Sequence, residues 1–284
     1  MHESNDNYQI WQKAQAPQSP HEFLVGRTLA QELCEKNYRD IAMSYIFITP
    51  EDVELTFRLV PGAWEAIKGV GVDLGGGIAC VSSMLAKKDE VKKIYCVEYT
   101  EELVKLCQPV LKKEILGDQA DKVVSVVGDF DNLELADGSL DFAIAWDSVH
   151  HSHQPIKTLK ECRRVLKSGG HLVFIDRAHN NDTPQTEIER MLNIVYDKEY
   201  LRKNYLDENM TLTRRDNGEH EWRFHEWNEF FSEAGFSVKE LVVLKTDTPE
   251  NRILKNDADL VEIFMPFNLG GFGHRKVGFV LQTK

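Results

Sequence analysis

The chain lacks several features that mark whole classes of protein. It holds 34 Lys and Arg against 46 Asp and Glu, a formal net charge of -12, and no dense Lys/Arg cluster of the kind that tight nucleic-acid binding needs. No apolar run approaches the roughly 18 residues of a membrane span. Residues 1–18 are polar and lack the apolar core of a signal peptide. The composition therefore predicts no membrane association and makes nucleic acid an unexpected partner.

Cysteine is also scarce. The five cysteines show no CxxC spacing and fall mostly in apolar strand or helix patterns. Such cysteines are typical of a reducing compartment, so we expect a cytoplasmic protein. The 284 residues, 42% hydrophobic and 28% charged, suit one α/β domain of about 200 residues plus insertions. The sequence leaves open whether the protein forms a homodimer.

The most informative stretch that is present runs from Val70 to Ala79. It predicts a short buried strand that breaks into a glycine-rich turn, with Asp73 at the break. Glycine lets the backbone approach a bulky ligand without a Cβ clash, and the N–H groups of a following helix can hold an anionic group. Dinucleotide enzymes use a related turn, so the turn alone does not identify the ligand.

Strands and helices alternate after this turn, up to about residue 180. Further strands are predicted at Lys93–Glu98, Val123–Val127, Leu140–Trp146 and within Leu166–Asp176, and each leads into polar or acidic residues. This alternation predicts a parallel sheet with right-handed crossovers. Open sheets of this kind bind ligands at the carboxyl ends of their strands, which is where these polar residues should meet.

The order of these strands and turns closely resembles the class I S-adenosylmethionine-dependent methyltransferases, in their small-molecule branch. The first motif of that family is an acid followed by glycines at alternate positions, and Ala79 stands where a third glycine is usual. The resemblance covers residues 65–180 well and 226–284 in outline. It implies S-adenosylmethionine as cofactor and S-adenosylhomocysteine as product. The implied cofactor-binding residues are Asp73, Gly75, Gly77, Glu98, Tyr99, Asp129, Phe130 and Trp146.

The resemblance also implies positions for parts of the cofactor. Glu98 would accept hydrogen bonds from both ribose hydroxyls, and Tyr99 would lie against the adenine. Asp129 would accept from the adenine amino group, while Phe130 covers the ring face. Asp73 would orient the glycine loop or meet the amino-acid end of the cofactor.

The expected fold is an α/β, Rossmann-like, doubly wound sheet of seven strands, the last antiparallel. Residues 1–65 should form an N-terminal helical cap or lid, with helices at 21–36 and 50–59, and residues 66–181 the cofactor-binding core. Residues 182–226 should form an inserted cap, made of a helix at 186–202 and a hairpin at 211–224 with a type I′ turn at Asn217–Gly218. Residues 227–284 complete the sheet and carry a lid loop at 246–274.

Polar residues after the fourth and fifth strands are expected to face the methyl acceptor. The candidates for catalysis are Asp147, His150, His151 and His179, since histidine titrates near neutral pH and can act as a general base. Many family members have a histidine pair at 150–151 that shapes the loop, so a structural role stays open. Adjacent histidine side chains diverge and no matching ligand cluster is apparent, so we expect no metal.

The acceptor-binding candidates are Arg177, His220 and Arg223. A clamp of Arg177 with Arg223 could hold a carboxylate or phosphate, because arginine offers a planar fork of donors. An ordinary solvated hairpin is the alternative for residues 219–225.

Together these residues predict methyl transfer to an oxygen or nitrogen of a small polar metabolite, with carbon acceptors open. Sugar or polysaccharide precursors, phosphorylated metabolites and natural products all fit. The alternatives are a catalytically silent cofactor-binding subunit, a protein or nucleic-acid methyltransferase, and a dinucleotide oxidoreductase.

Overall fold

A central nine-stranded sheet organises the molecule. A computed structural model describes residues 8–246, 260–266 and 275–284. The strands lie in the order β1-β4-β3-β2-β5-β6-β9-β7-β8. Their bounds are β1 (Tyr8–Ile10), β2 (Gly69–Leu74), β3 (Val91–Glu98), β4 (Val123–Val127), β5 (Leu140–Trp146), β6 (Leu166–Ala178), β7 (Phe236–Thr246), β8 (Val261–Met265) and β9 (Arg275–Thr283).

The seven inner strands follow the expected arrangement. Strands β4, β3, β2, β5 and β6 run parallel, and β9 runs antiparallel to both of its neighbours, β6 and β7. The prediction of seven strands in all is wrong, because one edge strand is added on each side. Strand β1 pairs parallel with β4, and β8 pairs parallel with β7.

Both added strands lie in segments that the sequence assigned to lids. Strand β1 has three residues and β8 has five, so neither gives a clear alternating pattern. Trp11, directly after β1, is buried and packs beside Tyr95. Strand β8 lies within the expected lid loop at 246–274, and the glycine-rich loop expected at 268–273 lies outside the described residues.

Helices cover both faces of the sheet. They are α1 (Leu24–Leu33), α2 (Tyr38–Tyr45), α3 (Pro50–Leu59), α4 (Ala63–Ala66), α5 (Cys80–Ala86), α6 (Gln108–Leu116), α7 (Pro155–Val165), α8 (Gln185–Leu192), α9 (Lys198–Lys203) and α10 (Phe224–Glu233). In the described ranges, no helix combines the length and apolar character needed to cross a membrane.

Alternation along the strands divides the core into two layers. On β6, Val173 and Ile175 join a cluster with residues of α1, α3 and α5, whereas Leu172 and Phe174 join a cluster with α7 and α10. Side chains of a strand point alternately to opposite faces, so a strand buried on both faces is apolar throughout. This explains why β6 carries an unbroken run of apolar residues.

The N-terminal helices partly match their predictions. Helix α3 has the predicted bounds because Thr49 and Asp52 form a capping box and Pro50 occupies the first turn. The single helix predicted at 21–36 is wrong at its ends. Helix α1 is shorter, and a separate helix α2 follows, capped by the Asn37 side chain.

A π-helical turn, Leu103–Cys107, precedes α6. Pro109 lies in the first turn of α6. Because proline has no N–H, it cannot bond back to the carbonyl four residues earlier, and the backbone accommodates this just ahead of it.

The inserted segment departs furthest from prediction. The helix expected at 186–202 is two helices, α8 and α9, and the hairpin expected at 211–224 does not form. Thr213 makes an isolated bridge to Val195 and Arg223 one to His179. Gly218 has a φ of 90°, but Asn217 does not have a positive φ, so the type I′ turn is also wrong. The polar side chains here make buried tertiary contacts instead of pairing across two strands.

The close pairing of β2 with β5 gives a test of core packing. A Cβ on Gly71 would lie 2.3 Å from the buried Phe142 ring. We expect Gly71→Ala to lower the free energy of unfolding by about 1–3 kcal/mol through overpacking, measured by denaturant unfolding. Gly26→Ala in α1 is the control, since its Cβ would meet nothing closer than 3.6 Å. Equal losses in the two variants would contradict the packing.

Candidate active site

A cavity of about 680 Å³ lies at the carboxyl ends of the parallel strands. Its floor comes from the loops that follow β2, β3, β4 and β5 and from the end of β6. Residues 15–17, α1 and the end of α2 form a second wall, and the inserted segment forms a third. Enclosure by three separate parts of the chain is typical of a site for small molecules.

The glycine loop after β2 forms one end of the cavity. Gly75 and Gly77 have φ values of 71° and 52°. A Cβ on Gly75 would lie 2.7 Å from the Ser148 Cβ, so glycine is required there by both conformation and space. Ala79 adopts the same left-handed region, φ 61°, at the N-terminus of α5. The alanine therefore keeps the turn that glycine would make.

Two buried carboxyl groups hold this loop. Glu98, at the end of β3, accepts hydrogen bonds from the Gly77 N–H at 3.0 Å and the Thr100 N–H at 2.6 Å. Burial raises the pKa of Glu98, and these two N–H groups oppose that rise. Asp73 accepts a hydrogen bond from the Ser82 hydroxyl at 2.6 Å, and burial raises the pKa of Asp73 to about 7.

The N-terminal segment covers the predicted adenine side. Asp129 accepts hydrogen bonds from the backbone N–H groups of Ala14, at 3.1 Å, and Gln15, at 2.9 Å. The Tyr99 hydroxyl donates to the Gln15 carbonyl at 3.1 Å, and the Lys13 ammonium lies 3.9 Å from the Tyr99 ring centre. The residues predicted to meet the adenine therefore also anchor this segment.

Phe130 and Trp146 line the cavity as well. The Trp146 ring stacks on Phe57 of α3, with 5.8 Å between the ring centres. This contact fixes the wall between the cofactor half of the cavity and the N-terminal helices.

A group of charged side chains forms the opposite end of the cavity. Asp147, directly after β5, has a φ of 50°. Its Oδ1 accepts from Lys276 Nζ at 2.6 Å and from Arg177 at 3.2 Å. Arg177 and Lys276 are direct partners across the antiparallel pair β6–β9. Arg177 also donates to Glu219 Oε2 at 2.7 Å.

These cations keep both carboxylates ionised. Burial alone would raise the pKa of Asp147, but the positive charges of Arg177 and Lys276 hold that pKa well below its usual value. Burial likewise opposes ionisation of Glu219, whereas Arg177 lowers the Glu219 pKa to about 2. Both groups therefore carry a negative charge at neutral pH.

The two adjacent histidines have different environments. His150 is fully buried, with Nδ1 2.7 Å from Asp176 Oδ1 and Nε2 3.5 Å from Glu219. His151 lines the cavity, and its Nδ1 donates to the Gly218 carbonyl at 2.8 Å. Burial lowers the pKa of His151 to about 4. His151 is thus a neutral imidazole whose Nε2 carries a lone pair.

Three further candidates lie outside the cavity lining formed by the described residues. His179 Nε2 is 2.5 Å from Glu221, and His220 Nδ1 donates to the His150 carbonyl at 3.0 Å. Arg223 pairs with Glu226 at 3.2 Å at the start of α10. The structure does not bring Arg223 to Arg177, because the hairpin that would have carried it is absent.

Two clusters of side chains have the spacing of metal ligands: His150 with His151 and Glu219, and Asp147 with His150 and Asp176. Cationic side chains of the protein already occupy the neighbourhood of each, since Arg177 lies 2.7 Å from Glu219 and Lys276 lies 2.6 Å from Asp147. The expectation of no metal stays a prediction.

Several lining residues were missed from the sequence. Lys276 follows Arg275 and directly precedes the apolar run of β9, and cations at the start of such a strand are a signal that could have drawn attention to it. Glu219 was considered only as part of a hairpin face. Nothing in the local pattern marks Tyr45, Tyr196 or Tyr200, which reach the cavity from the N-terminal helices and the insertion.

The buried carboxyl of Asp73 predicts a pH dependence of stability. Its pKa is about 7 in the folded chain and near 3.8 when exposed, so the folded state binds more protons between these values. Stability should therefore fall as pH rises from about 4 to 7. We expect Asp73→Asn to reduce that slope, by up to about 4 kcal/mol over the whole interval, measured as unfolding free energy at several pH values. Identical slopes in both proteins would contradict this.

Comparisons with known proteins agree with this geometry. The methyltransferase-domain family model matches residues 72–174. The chain is 27% identical over 159 residues to an uncharacterized chloroplastic methyltransferase of Arabidopsis thaliana, covering 56% of this chain and 44% of the relative. It is 30% identical over 156 residues to a sarcosine/dimethylglycine N-methyltransferase of Aphanothece halophytica, covering 52% and 54%. It thus spans about half the length of the curated relatives it matches.

A solved structure shows the same fold. A SAM-dependent methyltransferase from Methanosarcina mazei superposes with a TM-score of 0.50 at 18% identity, over 75% of this chain and 92% of that one. Residues 72–174 thus match the methyltransferase domain, and the inner strand order and the glycine loop give the described chain the fold of the class I S-adenosylmethionine-dependent methyltransferases.

Proposed function

We propose that the chain transfers a methyl group from S-adenosylmethionine to an oxygen or nitrogen of a small polar metabolite. One observation carries this proposal: a single cavity joins the glycine loop and Glu98 at one end to Asp147, His151 and Arg177 at the other. A donor bound at the first end and an acceptor bound at the second would meet inside an enclosed space.

The residues at the first end fit the cofactor. The glycine loop gives close approach to backbone, and the buried Glu98 carboxylate lines the cavity where two ribose hydroxyls would need an acceptor. Tyr99, Asp129 and Phe130 lie beyond it, at the predicted adenine position. When bound, S-adenosylmethionine supplies a methyl group on a sulfonium, which is already a good leaving group.

The protein therefore has to orient the acceptor and exclude water. Fixed ion pairs hold Asp147 and Glu219, and such preorganised groups place an acceptor in line with the methyl group at little further cost. The N-terminal segment and the insertion cover part of the cavity, which limits the access of water. An acceptor that arrives as a hydroxyl can donate a hydrogen bond to the neutral His151, whose Nε2 is a hydrogen-bond acceptor.

A small acceptor is favoured over a macromolecule. The cavity walls come from three parts of the chain, whereas a polymer substrate needs an open groove. The relative from Aphanothece halophytica is named for methyl transfer to sarcosine and dimethylglycine, which supports a small-molecule acceptor. The ordered ion pairs at the acceptor end count against a catalytically silent subunit. A subunit that only binds the cofactor would have no need to keep the charged residues of an acceptor site.

Cofactor binding is the first test. Calorimetric titration should show micromolar binding of S-adenosylhomocysteine and none of NAD. We expect Glu98→Ala to weaken that binding by about 10- to 100-fold, because a charged hydrogen-bond acceptor is lost. The control is Glu114→Ala on the exposed face of α6, which should bind like the wild type. Binding of NAD instead would reverse the assignment.

The kind of acceptor is tested by following a labelled methyl group. Cell extract incubated with the protein and methyl-labelled S-adenosylmethionine should place the label in the small-molecule fraction, because the cavity is enclosed. Label in protein or nucleic acid would contradict the small-metabolite proposal. Absence of transfer, with cofactor binding intact, would favour the silent subunit.

A further inference from the structure

The acceptor end of the cavity presents hydrogen-bond acceptors that the protein leaves unused. Every hydrogen bond to Asp147 goes to Oδ1, and Oδ2 accepts none from the described residues. The same holds at Glu219, where Arg177 binds Oε2 and Oε1 accepts none from the described part of the chain. Both side chains line the cavity.

His151 adds a third acceptor. Its Nδ1 faces the Gly218 carbonyl at 2.8 Å, and a carbonyl can only accept, so Nδ1 carries the proton. The Nε2 atom then has a lone pair and no proton. One nitrogen each of His150 and His151 and one oxygen of Glu219 lie within 4.8 Å of one another, so the His151 and Glu219 side chains are neighbours. Arg177 donates to both Glu219 and Asp147, which brings the Asp147 carboxylate into the same group.

The cations beside these groups are already engaged. Arg177 donates to both carboxylates, at 3.2 Å and 2.7 Å, and Lys276 donates to Asp147 at 2.6 Å. The four charges sum to zero, so net charge does not select the ligand. Selection depends instead on the unused lone pairs, which favour a ligand rich in N–H or O–H donors.

Counting donors decides between ligand classes. A carboxylate or phosphate has no hydrogen to donate, so its lone pairs would face the lone pairs of the three protein acceptors. Binding of such a ligand is therefore disfavoured. A hydroxyl has one donor and would leave two of the three acceptors desolvated and unpaired. A primary amine has two N–H donors when neutral and three when protonated. We propose that the methyl acceptor is an amine, held through its N–H groups by Asp147 Oδ2, Glu219 Oε1 and His151 Nε2.

This inference rests on the proposed methyl transfer and makes its proton balance simple. The amine reacts as the neutral free base, because the lowered pKa of His151 prevents this imidazole from taking a proton from an ammonium. An ammonium gives that proton to water before the amine enters the cavity. The nitrogen lone pair then forms the N–C bond as the methyl–sulfur bond breaks, and sulfur keeps that electron pair. The product nitrogen becomes positively charged and retains its remaining hydrogens. Asp147 and Glu219 stabilise this charge, and their lowered pKa values keep them ionised.

The test uses sets of probes that differ only in the donor group. Protein saturated with S-adenosylhomocysteine is titrated with benzylamine, benzyl alcohol and benzoate, and with butylamine, butanol and butanoate. Within each set, we expect the amine to bind at least about tenfold more tightly than the alcohol and the carboxylate. Methyl-labelled S-adenosylmethionine should give transfer to nitrogen only.

Two isosteric variants and one control assign the effect to the site. Asp147→Asn and Glu219→Gln should each reduce the preference for amine over alcohol by about tenfold. Glu233→Gln, which changes an exposed carboxylate paired with Lys160, should keep the preference. If Asp147→Asn no longer binds S-adenosylhomocysteine, Glu219→Gln carries the comparison.

The outcomes separate this inference from the proposed function. Failure of the wild-type protein to bind S-adenosylhomocysteine would refute the proposed methyl transfer. Intact binding of S-adenosylhomocysteine together with an equal or stronger preference for alcohol or carboxylate, or with no amine binding at millimolar concentration, would overturn the amine acceptor alone.

Discussion

The bridge that Asp147 makes to Arg177 and Lys276 joins the loop after β5 to strands β6 and β9. Because Arg177 and Lys276 face each other across an antiparallel pair, the closing strand of the sheet becomes part of the site. Removing one partner of such a buried network leaves an uncompensated charge, which typically costs about 3–5 kcal/mol. The charged end of the cavity, where we propose that the acceptor binds, therefore depends on the late strand β9 as much as on the strands from β2 to β6.

A second constraint operates at the cofactor end, where Glu98 ties the end of β3 to the glycine loop through the Gly77 N–H. The carboxylate is buried yet keeps lone pairs toward the cavity, since each oxygen accepts one backbone hydrogen bond. The same residue can thus shape the loop and receive a ligand. Asp129 works similarly, because it anchors Ala14 and Gln15 while lining the cavity.

The two ends of the cavity are built in the same way. Each uses carboxylates that are fixed by donors of the protein on one side and left available on the other, so little reorganisation is needed when a ligand binds. The N-terminal segment and the insertion supply enclosure, which strengthens electrostatic interactions by excluding water. The aromatic side chains of Tyr45, which lies beside Gly77, and Trp146, which stacks on Phe57, connect the helices α2 and α3 to the sheet.

The sequence by itself determined the inner sheet and the glycine turn. Periodicity, glycines and strand-ending acids are local signals, and they located the residues from Asp73 to Asp147 at the carboxyl ends of their strands. Prediction from the sequence failed where contacts between distant parts of the chain decide the conformation. Residues 211–224 had the turn and charge pattern of a hairpin, but Glu219 and Glu221 are buried against Arg177, Arg214 and His179 instead. Only the tertiary structure decided where the edge strands pair. It also placed Lys276 beside Asp147 and kept Arg223 apart from Arg177. Strand register between distant segments and the pairing of buried charges produce no periodic pattern in the sequence, so the sequence alone could not predict them.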